Sequence, residues 1–168
     1  MGDTKNLFNQ EAIKKIKEIT DKTSMCLFCT NLGNAPFDTR PMGTQDVDDE
    51  DNLWFLSSKS SNKNQDIKQD DNVQLLYTVD NHATFMSVFG KASVYTDKDK
   101  IEKLWEPLAK AWFTEGKDDP DLSVIKVQPL EGYYWDTKDG KIISFAKIAV
   151  AAVTGKSMDG GIEGRMQL

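Results

Sequence analysis

Between Asn9 and Asp21, Ala12, Ile13, Ile16 and Ile19 recur at helical spacing with lysines between them, which predicts an opening amphipathic helix. Met25 to Thr30 is short, apolar and bulky, the pattern of a buried strand, and Asn31-Leu32-Gly33-Asn34 is turn chemistry leading to a partner strand over Pro36 to Thr44. Asp46 to Asp51 carries five carboxylates in six residues, and mutual repulsion predicts a solvated turn rather than a cation site. Asn52 to Ser57 is a third strand, and the serines after it lead into a short helix over Asn62 to Gln69 with a serine N-cap. Val73 to Val79 and Thr84 to Thr96 follow as strands around the turn Asp80-Asn81-His82, the second broken by a bulge or bend at Gly90. From Asp97, a good N-cap, Ile101, Leu104, Trp105, Leu108 and Trp112 mark another amphipathic helix, which Pro107 must kink or restart. Leu122 to Val127 and Gly132 to Trp135 read as two further strands and Lys138 to Lys141 as a turn. Phe145, Ile148, Ala149, Ala152 and Val153 form a last helical stripe, ended by Gly155.

Consecutive strands joined by short turns favour antiparallel pairing, so the expected fold is α+β: six or seven antiparallel strands forming a barrel, with peripheral helices. The chain of 168 residues suits a single domain, read here as 1–155 followed by a Gly-rich tail over 156–168. A net charge of −6 argues against nucleic acid or an anionic membrane as partner, leaving room for a local pocket for a small anion. With no apolar leader in residues 1–20, no apolar run longer than Ile148 to Val153, and only two cysteines, the expectation is a cytoplasmic protein with reduced thiols.

Several motifs are set aside on physical grounds. Cys26-Leu27-Phe28-Cys29 has C-x-x-C spacing, but on a strand its two thiols point to opposite faces, so buried structural cysteines are expected. Gly155-Lys156-Ser157 resembles the end of a phosphate-binding loop whose first glycine would be Val150, inside a predicted helix. His82, the only histidine, reads as a solvated turn residue.

Two segments carry the chemistry. Thr39-Arg40-Pro41-Met42-Gly43 puts one of only two arginines on a strand where proline deletes a ladder donor, which predicts edge or bulged geometry. Phe55 to Lys63 brings serines and a lysine to a helix N-terminus, an arrangement that a phosphate prefers, although composition alone favours the plainer reading of an N-capped surface helix.

These segments, Arg40-Pro41-Met42, Leu53 to Ser57, Lys63 with Asp66-Ile67, and Ser87 to Ala92, resemble in order and spacing the FMN-binding split barrels related to pyridoxamine 5'-phosphate oxidase. Leu104-Trp105, Lys110 to Phe113, Asp119 to Leu122 and Tyr134-Trp135-Asp136 are similar to the general stress protein branch of that family. The resemblance implies a homodimer with two FMN molecules in clefts at its interface. By position, Arg40 and Lys63 would neutralise the FMN phosphate, Ser57, Ser61 and Asn62 would donate hydrogen bonds to it, and Ser58 would be a neighbour. Pro41 and Met42 would run their backbone beside the flavin ring, and Trp112 is a candidate for the ring, the dimer seam or the core. Trp105, Trp112, Phe113, Tyr133 and Trp135 are candidate interface aromatics. The implied function is redox chemistry on an unidentified small molecule and electron donor; the alternative is a flavin-binding or flavin-buffering protein without turnover. Pyridoxamine phosphate oxidases carry a late Arg-x-His pair that holds substrate, where this chain has Arg165-Met166-Gln167, so that activity is not expected. Asn62 stands where the family's phosphate cluster usually has a second arginine.

Overall fold

The computed structural model of the chain describes residues 3–79, 84–137 and 161–168. The expected Asp80-Asn81-His82 turn, the Lys138 to Lys141 turn, the helical stripe ended by Gly155 and the Gly155-Lys156-Ser157 motif lie outside the described residues.

In chain order the strands are β1 (Asp3–Thr4), β2 (Leu7–Phe8), β3 (Met25–Thr30), β4 (Asp38–Val47), β5 (Leu53–Ser58), β6 (Asn72–Thr78), β7 (Phe85–Tyr95), β8 (Leu122–Thr137) and β9 (Gly161–Gln167). The helices are α1 (Gln10–Lys22), α2 (Asn62–Gln69) and α3 (Lys98–Leu104). Strands β3, β4, β5, β8, β7 and β6 pair antiparallel in that order, and β6 returns to β3, closing a six-stranded barrel. The fold is the expected α+β split barrel, with β9 added on β8 and the short β1 and β2 added parallel to β9.

Inward-facing Phe28 and Phe55 meet edge to face, 5.1 Å apart, at the centre of a core that also takes the Ala12–Ile13–Ile16–Ile19 stripe of α1. A second apolar cluster of Trp54, Ile101, Leu104, Phe113, Leu122 and Val124 lies where α3 and the segment after it cover β5 and β8. Trp105 packs against this cluster and Phe113 is buried in it, so these two of the proposed interface aromatics serve the protomer's own packing.

The structure revises three expectations. The two late strands are one, because β8 runs through Pro129, which falls between the residues paired with β5 and those paired with β9. Opposite it, the predicted irregularity at Gly90 is a register shift; a Cβ there would stand 2.3 Å from the Gln128 carbonyl, a contact only glycine allows. The segment read as a Gly-rich tail contains β9, paired with β8 over Glu131–Thr137. The acidic turn is organised rather than merely solvated: Asp48 accepts from the Asn52 and Glu50 amides and, at 2.6 Å, from the Trp54 indole N–H. Pro107 restarts the chain as a 3-10 turn after α3 ends at Leu104.

Both cysteines are buried free thiols, and burial pushes Cys26 up to about 12, so it is inert as a nucleophile at neutral pH. Among the described residues no cluster of His, Cys, Asp and Glu could hold a metal, and no helix is long and apolar enough to cross a membrane.

Candidate functional site

The barrel splits between β4 and β5. These strands pair only over Thr44–Val47 and Leu53–Phe55, with a register shift between Thr44 and Asp46. Beyond Thr44, Asp38–Gly43 keeps only β3 as a neighbour, while Leu56–Ser58 of β5 keeps only β8. Pro41 lies in the separated stretch, where its missing N–H fits the irregular geometry that the sequence predicts.

Helix α2 bridges the split. From β3, Thr30 Oγ1 donates to Asp66 Oδ2 at 2.7 Å; from β5, Ser57 Oγ donates to Asn64 Oδ1 at 2.7 Å. Asn64, buried itself, donates through Nδ2 to Ser123 Oγ (3.0 Å), whose hydroxyl donates to the Ser57 carbonyl (2.9 Å). This buried polar circuit fastens the first turn of α2 to β5 and β8, and each side-chain group in it has a partner, as burial demands.

Arg40 reaches the same place from β4. Its Nη1 donates to Thr30 Oγ1 at 2.6 Å and to the Phe28 carbonyl at 3.4 Å, and its Nη2 lies 3.7 Å from Asp66 Oδ2. Lys63, in the first turn of α2, is half-buried and forms no ion pair within 4.0 Å among the described residues. Burial, followed by the charge of Arg40, holds the Lys63 ammonium below the usual lysine value, with Asp121 pulling weakly the other way. That first turn has no acidic residue, so the positive end of the helix adds to two cations rather than being neutralised. A half-buried lysine pushed against an arginine is unfavourable in isolation, and an incoming anion relieves it.

The nominated serines divide among different acceptors. Ser57 gives its proton to Asn64, Ser61 donates to the Ser58 carbonyl at 2.8 Å, and Ser58 donates to Asp121. Ser58 and Ser60 both point at Asp121, which also accepts from the Ser60 amide at 3.0 Å. The structure thus gathers Arg40, Lys63, Ser57 and Ser61 around the start of α2, with the Ser57 and Ser61 hydroxyl oxygens 3.5 Å apart, and commits Ser58 to a neighbouring loop. Asn62 is exposed at the helix start, and Pro41 is exposed on the outer wall opposite Leu27. Met42 is buried in the barrel, so only its backbone can face a ligand. Trp112 is 78% exposed at the end of the 3-10 turn, which excludes it from the protomer core.

Thr30, Asn64 and Ser123 escaped the sequence reading. A polar residue within an otherwise apolar strand end, as at Thr30 and Ser123, was the available signal; Asn64 had none, since a polar residue on a polar helix is unremarked until its face is known.

A family model described as pyridoxamine 5'-phosphate oxidase like matches residues 11–159. Over 112 residues the chain is 30% identical to protein bli-3 of Neurospora crassa, covering 62% of this chain and 54% of that protein. Over 80 residues it is 30% identical to general stress protein 26 of Bacillus subtilis, covering 46% of this chain and 56% of that one. The chain therefore spans about half the length of the curated relatives it matches. A solved structure of the general stress FMN/FAD binding protein from Xanthomonas citri superposes with a TM-score of 0.65 at 22% identity, over 80% of this chain and 94% of that one, a likeness of fold.

Proposed function

Because the chain belongs to the pyridoxamine 5'-phosphate oxidase-like family, we propose that the split between β4 and β5 is a flavin site and that its ligand is FMN. The observation that carries this reading is the Arg40–Lys63 pair: two cations at a helix N-terminus, one of them half-buried with no carboxylate within 4.0 Å among the described residues. Such a pair matches a terminal phosphate dianion, which FMN has and riboflavin lacks, better than the singly charged phosphates inside FAD. The structural relative described as FMN/FAD binding supports the class of ligand.

In this reading Arg40 and Lys63 hold the phosphate, the Asn62 and Lys63 amides face it, and Ser61 can turn its hydroxyl from the Ser58 carbonyl toward it. Arg40 is already oriented by Thr30, so little side-chain freedom is lost on binding. The backbone of Pro41 and Met42 runs beside the ring. Bound flavin supplies hydride and electron chemistry that side chains cannot, and the protein acts as an oxidoreductase on a small molecule.

The second part of the reading is a homodimer. Met25, Leu27, Leu76, Phe85 and Trp135 leave 38–53% of their surface exposed on the outer wall, and the register sets Leu27 beside Leu76 and Phe85 beside Trp135. A contiguous apolar band of this kind marks an interface, and Leu27 is also the partner of Pro41, so a second copy seated there borders the flavin cleft. Trp112 is a candidate contact for that second copy.

Titration with FMN, FAD and riboflavin, combined with sedimentation at several protein concentrations, tests both parts. FMN is expected to bind most tightly and to shift the equilibrium toward dimer. Equal affinity for FMN and riboflavin would overturn the phosphate assignment, and a monomer holding FMN undiminished on dilution would overturn the shared cleft. Repeated reduction and reoxidation of the bound flavin by a nicotinamide donor and an acceptor is the expected sign of an enzyme; tight binding without turnover would show a flavin buffer instead.

A further inference from the structure

On the outer wall, away from the split of the same protomer, β6, β7, β8, β9 and the start of the chain border an open cavity of about 480 Å³. None of its lining residues belongs to the cation cluster at α2. It is bordered by Phe8, Tyr133, Gln74, Ser87, Glu131 and Arg165. Arg165, the second of two arginines in the chain, sits on β9 opposite Tyr133, while Glu131 on β8 sits opposite Gln167. Glu131 and Arg165 are therefore diagonal neighbours across two antiparallel strands, on one face of the sheet. Neither forms an ion pair within 4.0 Å among the described residues, with the other or with anything else.

The strand that carries Arg165 is fixed: its amide N–H donates to the Asn6 side chain at 3.0 Å, and Gly164 lies so close to the Lys5 carbonyl that no Cβ fits. Gln74 Nε2 donates to Ser87 Oγ at 2.7 Å, which orients both groups and leaves the Ser87 proton and the Gln74 carbonyl for a ligand. The cavity thus offers one cation, one anion, a donor, an acceptor and aromatic walls. A simple anion meets Glu131 and a simple cation meets Arg165, each at a cost; a molecule carrying both charges on adjacent carbons meets neither penalty.

We propose that this cavity is a second ligand site, for a zwitterionic small molecule of the α-amino-acid type with a ring or large apolar side chain. The carboxylate pairs with Arg165, the ammonium with Glu131, and the side chain lies against Phe8 and Tyr133. The site rests on the cavity's own charges; Gln74, Ser87 and Tyr133 share a sheet face and neighbouring register with Leu76, Phe85 and Trp135, so it borders the band proposed for the dimer.

The test is calorimetric titration of the full chain with L-phenylalanine, N-acetyl-L-phenylalanine, which lacks the ammonium, and L-phenylalaninamide, which lacks the carboxylate. Saturable binding of L-phenylalanine is expected, weakened about tenfold or more in either blocked analogue and in R165Q and E131Q. Both variants change exposed side chains, and unchanged thermal melting checks that they fold. R165Q is expected to leave FMN affinity as it is. No saturable binding of L-phenylalanine up to about 10 mM, a concentration that still detects affinities in the millimolar range, overturns the proposal. So does equal binding of all three probes, and so does a loss of FMN affinity in R165Q, which would assign the cavity to the flavin.

Discussion

Two half-buried lysines of this chain have opposite fates. Lys15, on α1, donates to Asp136 at 2.9 Å and to Glu18 at 2.9 Å, and its ammonium also lies 5.4 Å from the Tyr134 ring centre. Asp136 in turn accepts from Thr84 Oγ1 (2.9 Å) and the Thr137 amide (2.8 Å). Burial alone opposes the charge on both groups, yet hydrogen bonds and attraction, from Glu18 and Asp136 on Lys15 and chiefly from Lys15, Thr137 and Thr84 on Asp136, leave Lys15 above its ordinary value and Asp136 below. Lys63 suffers the same burial but faces an arginine, so its value falls. The first lysine is spent on fastening a helix to the barrel. The second is left electrostatically unsatisfied at the mouth of a split, which is the state of a site that awaits an anion.

The largest effect expected from breaking this contrast is on flavin binding. Arg40→Ala or Lys63→Ala should each weaken FMN by about 1.5–3 kcal/mol, roughly ten- to a hundredfold, while leaving riboflavin affinity nearly unchanged. Fluorescence titration of both flavins against both variants measures it, and parallel losses for FMN and riboflavin would count against a phosphate site.

Next comes folding stability, where the two lysines should separate. Lys15→Met strands Asp136 in a half-buried place and should cost about 1–2 kcal/mol, read as a lowered urea midpoint. Lys63→Met removes a cation from beside Arg40 and should leave the free protein within about 0.5 kcal/mol of wild type, or above it. Equal losses in the two variants would erase the distinction.

The pH dependence sharpens it. Lys15 has a raised folded value, so its contribution is complete below the ordinary lysine range and is lost as pH rises through that folded value. For Lys63 the folded value is depressed: in the window below the ordinary lysine value the unfolded chain holds a proton that the folded one has shed, so raising pH stabilises the free protein. FMN affinity should move the other way, falling as Lys63 loses its proton, whereas Lys63→Arg should keep affinity flat over the same range. Dissociation constants from neutral pH to about 10.4, the ordinary lysine value, give the comparison.

The smallest effect belongs to Ser61→Ala. Its hydroxyl already has an acceptor in the Ser58 carbonyl, so a change of no more than about threefold in FMN affinity is expected from exchanging one neutral hydrogen bond for another. A loss as large as that of Lys63→Ala would show that Ser61 is a principal phosphate donor.

Local pattern carried the elements. The Ala12–Ile19 stripe, the apolar runs of β3, β5 and β6, the Asp97 cap, which accepts from the Lys100 amide at 2.8 Å, and the break at Gly90 all appear where spacing and turn chemistry set them. These features depend on neighbours within a few residues, which a sequence displays directly. Arg40 and Lys63 were legible too, as rare or well-placed cations on elements whose type the pattern had settled.

Long-range pairing determined the rest. Nothing local distinguishes a Gly-rich tail from β9, whose backbone becomes a strand only because β8 extends past β5 to receive it. The direction of a serine proton is equally invisible: Ser57, Ser58 and Ser61 lie within five residues of one another, yet Asn64, Asp121 and a backbone carbonyl claim one each. The sequence by itself determined which side chains could carry charge and which elements they would ride on, because periodicity and propensity act over single turns and strands. Only the tertiary structure decided that Lys15 would meet a carboxylate and Lys63 an arginine, because a charge acquires its partner and its desolvation from segments far along the chain, and those are fixed only when the barrel closes.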